Sequence, residues 1–106
     1  MTYRHPDPGQ IRIEDVLSAL GNPVRLSVVQ VLDAGGEHNC GSVLELLDIT
    51  AKSTMTHHWR VLRESGVILQ QPSGRENLLT LRRAELDSRY PGLLDAILTG
   101  ARGDKA

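Results

Sequence analysis

The sequence contains few aromatic residues and one cysteine, and both scarcities limit what the protein can be. Phe does not occur among its 106 residues, so a core must be built mainly from Leu, Val and Ile. Because Cys40 is the sole cysteine, an intrachain disulfide is impossible. No apolar run approaches the roughly 20 residues that span a membrane, and the first ten residues lack the apolar stretch of a signal peptide. We therefore expect a cytoplasmic protein of one domain, without a membrane partner.

The charges are distributed unevenly, although the net charge of −1 gives no sign of a polyanionic partner. Residues 51–83 contain six basic and two acidic side chains, a net charge of +4, which leaves −5 for the rest of the chain. Such asymmetry within a small domain can mark a surface that meets nucleic acid. It is a weak indication alone, because runs of charge are mostly solvated faces.

The first half of the sequence predicts an arm followed by short helices. Residues 1–10 are rich in Pro and Gly and predict a flexible N-terminal arm. Ile13, Leu17 and Leu20 share one helix face, and Asn22-Pro23 is a favourable start for a second helix. The stretch "EHNCGS" predicts a turn, and "VLELLD" a short helix.

The second half predicts a longer helix and a hairpin. Residues 52–65 form the helix, with Thr50 available as its cap and Gly66 as its stop. "VILQQ" and "NLLTL", joined by "PSGRE", predict a two-stranded β-hairpin, and helical segments continue to residue 98. A short helix, a tight turn and a longer helix make a helix-turn-helix, to which the hairpin adds a wing. We therefore predict an α+β, mainly helical, winged helix-turn-helix over residues 11–98, with 99–106 a disordered tail.

The longer helix has two different faces. Met55, Trp59 and Leu62 form a stripe that we expect to be buried. The opposite face carries hydrogen-bonding side chains suited to base edges and phosphates in the major groove of DNA. Its members expected to contact bases are Ser53, Thr56, His57 and Arg60.

The two adjacent histidines of this helix are expected to have different roles. His57 lies on the outer face and is a candidate for DNA contact, whereas His58 borders the buried stripe and is expected to hydrogen-bond to backbone. Neighbouring helical residues point about 100° apart, so the pair is poorly placed to chelate one metal ion. No carboxylate or nucleophile stands at a useful spacing, and no Gly-rich phosphate loop is present, so the sequence does not predict an enzyme.

The segments "ALGNPVRLSVVQVL" and "KSTMTHHWRVLRESGVI", followed by a Gly-containing wing, resemble the ArsR family of winged helix-turn-helix transcriptional regulators over residues 13–82. The resemblance implies a homodimer on a palindromic operator in double-stranded DNA, often responding to a small effector. It supports DNA contact by Ser53, Thr54, Thr56 and His57, and by Arg75 in the wing, with Lys52, Thr54 and Arg75 expected mainly on phosphates. The expected dimer contacts are Ile13, Leu17, Leu94, Ile97 and Leu98.

Two alternatives remain open at this point. Cys40 and His38, with His5 and Asp7 from the arm of a second subunit, could hold Zn²⁺ or Ni²⁺ and make the protein a metal sensor. Against this, the paired cysteines that metal-sensing relatives often carry are missing. The simpler interpretation is that Cys40 is a half-buried structural residue in a turn. A winged helix that binds protein instead of DNA is the other alternative, which the basic outer face disfavours.

Overall fold

The computed structural model describes residues 3–104, which form six α-helices and a small antiparallel sheet. The elements are α1 (Ile13–Leu20), α2 (Pro23–Asp33), β1 (His38–Asn39), α3 (Cys40–Leu46), α4 (Lys52–Glu64), β2 (Ile68–Ser73), β3 (Glu76–Leu81), α5 (Arg83–Arg89) and α6 (Leu93–Asp104). The predicted α+β winged helix-turn-helix is thereby confirmed, with α3 and α4 as its two helices and β2–β3 as the wing. None of the helices in the described part is long and apolar enough to cross a membrane.

Local sequence signals account for the ends of several helices. The Asn22 side chain caps α2 by accepting hydrogen bonds from the backbone N–H groups of Val24 and Arg25, at 2.9 and 3.2 Å. At the C-terminal end of α4, Gly66 adopts a positive φ of 86°. Hydrogen bonds from Gly66 N to Arg63 O and from Val67 N to Leu62 O close the helix as a Schellman motif.

The core is mainly aliphatic, as the lack of Phe requires; among the described residues Trp59 is its one buried aromatic side chain, and half-buried Tyr90 packs against it. The predicted stripe of Met55, Trp59 and Leu62 is buried. It packs in one continuous cluster with residues of α1, α2, α3, the sheet, α5 and α6. The burial of this stripe leaves the opposite face of α4 directed to solvent.

The sheet has three strands, so the prediction of a two-stranded wing was incomplete. His38 and Asn39, expected in a turn, form β1 and pair with Leu79 and Leu78 of β3. The strand order is β1-β3-β2, which places the second wing strand at the centre. Asn39 also caps α3 by accepting a hydrogen bond from Ser42 N at 2.9 Å, and this cap explains why the short helix begins at Cys40.

The C-terminal helix corrects two predictions. Helix α6 continues to Asp104 and buries Ala101, so residues 99–104 are not a disordered tail, and residues 105–106 lie outside the described residues. Leu94 and Leu98 are only 3% and 1% exposed within their own chain. Their expected role as dimer contacts is therefore wrong: they face the core of the same subunit, while Ile97 is half-buried.

The N-terminal arm is held against its own subunit from Tyr3 onward, contrary to the expected flexible segment. The backbone N–H of Gln70 donates to His5 Nε2 at 2.9 Å, and the Arg82 guanidinium donates to the carbonyl of Pro6 at 2.8 Å. The Arg63 guanidinium lies 4.4 Å from the centre of the Tyr3 ring, a cation–π contact. Residues 1–2 of the predicted arm lie outside the described residues.

Candidate nucleic-acid interface

The outer face of α4 is polar and accessible over its N-terminal half. The predicted DNA-contacting side chains of this helix are all exposed, namely Lys52, Ser53, Thr54, Thr56, His57 and Arg60. The Thr54 hydroxyl donates to the carbonyl of Ala51 at 2.7 Å, which leaves its oxygen free only to accept. The structure thus leaves every predicted site residue of this helix accessible to solvent.

The N-terminus of α4 has no side-chain cap. Thr50, predicted to cap it, does not do so, since the N-cap position is Ala51. Two amides of the first turn are already used, since Lys52 N donates to Thr50 O at 3.1 Å and Thr54 N to Ala51 O at 3.2 Å. The helix dipole still favours an anion near this end of α4.

Three of the six basic residues in segment 51–83 are used inside the fold. Arg63 donates to the side chain of buried Gln70 at 2.6 Å, and buried Arg82 pairs with Glu85. Arg83 contacts three carboxylates, those of Asp33, Asp87 and Asp95. The positive charge of the segment is consequently smaller at the surface than the sequence suggests.

The other three basic residues remain available. Lys52, Arg60 and Arg75 are exposed, and none makes an ion pair or side-chain hydrogen bond with any residue between 3 and 104. Arg75 follows Gly74 at the tip of the β2–β3 hairpin, where Gly74 has a φ of 64°. The accessible cations of the segment are therefore on the outer face of α4 and at the wing tip.

The two histidines differ as predicted, apart from the partner of His58. His57 is exposed, and its ring centre lies 5.9 Å from that of His58. His58 is half-buried and faces the Arg25 guanidinium, with 3.1 Å between Arg25 Nη1 and His58 Nδ1. The structural role of His58 is thus confirmed, but its partner is a side chain and not backbone.

Burial, followed by the charge of Arg25 and then by His57, holds the pKa of His58 below its ordinary value. The neutral ring is therefore favoured near pH 7. Sequence reasoning missed Arg25, whose only signal was its place in the segment "NPVRL".

The candidate metal ligands are not brought together. No group of three or more His, Cys, Asp or Glu able to hold a metal ion occurs among residues 3–104. His38 bonds locally to Gly35 O at 3.0 Å, and the Cys40 thiol, whose pKa is raised by burial, accepts from Gln70 Nε2 at 3.5 Å. His5 is engaged with Gln70 of its own subunit, so it is not extended toward a partner.

A small apolar surface remains on α1. Ile13 and Leu17, both predicted dimer contacts, are 42% and 48% exposed. They lie one turn apart on the same face of this helix. Leu46, at the end of α3, is exposed as well, at 63%, and lies on a different element.

Comparisons with known proteins agree with this geometry. The helix-turn-helix domain family matches residues 20–71. An uncharacterized HTH-type transcriptional regulator, YceK of Bacillus subtilis strain 168, is 32% identical over 98 residues, which are 92% of this chain and 95% of the relative.

Solved structures share the fold. The transcriptional repressor BigR of Xylella fastidiosa superposes with a TM-score of 0.60 at 26% identity, over 74% of this chain and 85% of that one. A possible transcriptional regulator for arsenical resistance gives 0.61 at 26% identity, over 85% and 95%. HlyU of Vibrio cholerae N16961 shares the fold with a TM-score of 0.60 at 21% identity, over 74% and 90%.

The fold and the polar helix face define a winged helix-turn-helix regulator of transcription that binds DNA. Within that class, the sequence and structural relatives are specific enough to assign the family. The chain belongs to the ArsR family of winged helix-turn-helix transcriptional regulators.

Proposed function

We propose that the protein regulates transcription in the cytoplasm as a homodimer that binds a palindromic operator. The N-terminal half of α4 enters the major groove, and the wing tip meets the DNA backbone. One observation carries the proposal: the unpaired cations Lys52, Arg60 and Arg75 flank an exposed row of small hydrogen-bonding side chains. This combination allows contact with phosphates and base edges at once.

The site residues divide by the group they contact. Ser53, Thr56, His57 and Arg60 occupy the part of α4 that faces outward, so they recognise base edges. Lys52 and Thr54 in the first turn of the helix, and Arg75 in the wing, hold phosphates. Phosphate contacts set the register of the protein on DNA, whereas base contacts select the sequence.

Binding assays on DNA selected from a random pool test this division. Arg75→Ala should weaken binding to all sequences and flatten the dependence of log affinity on log salt by about one unit. His57→Ala should instead alter which base is preferred at one operator position. Arg102→Ala, at an exposed arginine near the end of α6, is the matched control and should change neither property. Absence of salt-dependent DNA binding in the wild type would refute the proposal in favour of a protein-interaction module.

The two-fold dimer is supported by the apolar face of α1. A palindromic operator requires two recognition helices about 34 Å apart, and Ile13 with Leu17 offers the contact surface of the first helix. Leu17→Glu should convert the dimer to a monomer at micromolar concentration in light scattering. Leu46→Glu, at a more exposed leucine on α3, should leave it a dimer. A wild-type monomer, or equal effects of both variants, would contradict this interface.

Response to an effector forms the last part of the proposal. A ligand changes operator affinity only when it binds one dimer geometry better than the other. The same binding assay identifies such a ligand as a compound that shifts operator affinity in the wild type.

A further inference from the structure

The side chain of Arg25 connects three helices. From the first turn of α2, its Nε donates to the carbonyl of Ala19 at 2.7 Å and its Nη2 to that of Ser18 at 3.2 Å. Its Nη1 lies 3.1 Å from Nδ1 of His58 on α4. The two carbonyls belong to the last turn of α1, so one guanidinium satisfies the end of α1 and reaches the helix proposed to recognise DNA.

We propose that Arg25 and His58 form a positioning pair that fixes the recognition helix against α1, and that operator binding depends on this pair. The proposal rests on the DNA-binding function above and adds two residues to it, neither of which touches bases. Arg25 is half-buried, whereas the α4 side chains expected to contact DNA are exposed.

The chemistry of the pair determines the state of the ring. A guanidinium has five N–H donors and no acceptor, so Nδ1 of His58 must be the acceptor and must carry no proton. A neutral ring in this contact then has its hydrogen on Nε2. Protonation of Nδ1 would remove the acceptor and place a second positive charge beside Arg25.

The charged groups around His58 reinforce this state. Arg25 approaches from α2 and His57 from the same helix, and both disfavour the protonated ring. The groups of α1 at this place are the backbone carbonyls of Ser18 and Ala19, which accept hydrogen bonds from Arg25 and not from the histidine. The arrangement therefore holds best when His58 is neutral.

The position of the pair explains why it matters for a dimer. Helix α1 carries Ile13 and Leu17, the proposed contacts with the second subunit, whereas α4 carries the proposed base contacts. The distance between two recognition helices in a two-fold dimer depends on how each α4 is set against its own α1. Because half-sites have a fixed spacing, loss of the connection should affect operator binding more than binding to random DNA.

Three variants test the pair in the full-length protein. Arg25→Lys keeps the charge, but one ammonium cannot reach both carbonyls and the ring together. His58→Ala removes the acceptor, and His58→Asn restores one, because an amide oxygen can stand near the place of Nδ1. Arg25→Lys and His58→Ala should each weaken operator binding at least tenfold and random-duplex binding less than twofold. The double variant should be no worse than the more damaging single one, as expected for residues acting together.

Rescue and pH dependence separate positioning from a general loss of stability. His58→Asn should recover most of the operator affinity lost in His58→Ala. Between pH 7.5 and 5.5 the wild type should lose operator affinity relative to His58→Asn, because only His58 differs between the two proteins. Imidazole ¹⁵N chemical shifts of the free protein should show the Nε2–H form of His58 at pH 7.5.

The outcomes are distinguishable. Operator affinities within twofold of wild type for Arg25→Lys and His58→Ala, additive losses in the double variant, or an Nδ1–H ring would overturn the positioning pair while the proposed function stands. A wild type that binds no DNA would overturn the proposed function and with it the pair's role in DNA binding, even if the ring is in the Nε2–H form.

Discussion

Replacement of Gly66 by Ala should destabilise the protein for two separable reasons. Gly66 ends α4 with a φ of 86°, a left-handed conformation that costs a residue with a Cβ about 1–2 kcal/mol. The added Cβ would also lie 2.5 Å from Cγ1 and 2.7 Å from Cδ1 of Ile11. Ile11 is fully buried, so it has little room to move, and overpacking of this kind costs about 1–3 kcal/mol. We therefore expect Gly66→Ala to lower the free energy of unfolding by about 2–5 kcal/mol.

Urea unfolding with a matched control measures the two contributions. Gly74 also has a positive φ, of 64°, but a Cβ there would meet nothing within 4 Å. Gly74→Ala should therefore cost only the backbone contribution, about 1–2 kcal/mol. In an Ile11→Ala background the effect of Gly66→Ala should shrink by about 1–3 kcal/mol, because the clash is gone and the strain remains. Equal losses for the two glycine variants, or no change in the Ile11→Ala background, would refute the steric argument.

Three further predictions concern the fold. Asn22→Ala should lower the free energy of unfolding by about 1 kcal/mol, because two amides lose their cap, whereas Thr50→Ala should have little effect in the same urea titration. Burial, then Arg82 and Arg63, lowers the pKa of His5 from its ordinary 6.5. The hydrogen bond of neutral His5 to Gln70 should add stability above pH 6.5, and this stability should be lost as the pH falls through the lowered pKa. The difference in free energy of unfolding between wild type and His5→Ala should therefore narrow from pH 7.5 to 5. A difference that widens would contradict this. Leu94→Ala should lower the free energy of unfolding by about 2–5 kcal/mol in calorimetry or urea titration and leave the dimerisation constant unchanged. Weakened dimerisation without loss of stability would instead assign Leu94 to the dimer interface.

The two faces of α4 were predictable because helical periodicity is a local property. Met55, Trp59 and Leu62 repeat at the spacing of one face, so Thr56, His57 and Arg60 between them had to point outward. The same periodicity marks Leu94 and Leu98 as one face of α6, but it does not say whether their own subunit or a second one covers that face. In this chain the core of the same subunit covers it.

Features that depend on distant contacts were not predictable. His38 and Asn39 are a strand only because they pair with Leu79 and Leu78 of β3, so no local signal distinguishes them from a turn. The ion pairs of Arg83 with Asp33 and Asp95 are similar, since these partners lie on α2 and α6, whereas Asp87 is only one turn away on α5. The sequence gives the number of such charges but does not show which of them are neutralised by an ion pair.

The internal pairing of Arg63, Arg82 and Arg83 also bears on how the protein would search a genome. Segment 51–83 retains three unpaired cations for each subunit, Lys52, Arg60 and Arg75, and hence about six for a dimer. If each meets a phosphate on random DNA, where Arg60 has no operator base to read, affinity falls roughly 10³-fold between 50 and 200 mM salt. Residence of the proposed dimer on random sequence would then be brief at the higher salt concentration, so it would explore DNA by repeated dissociation and rebinding more than by long slides.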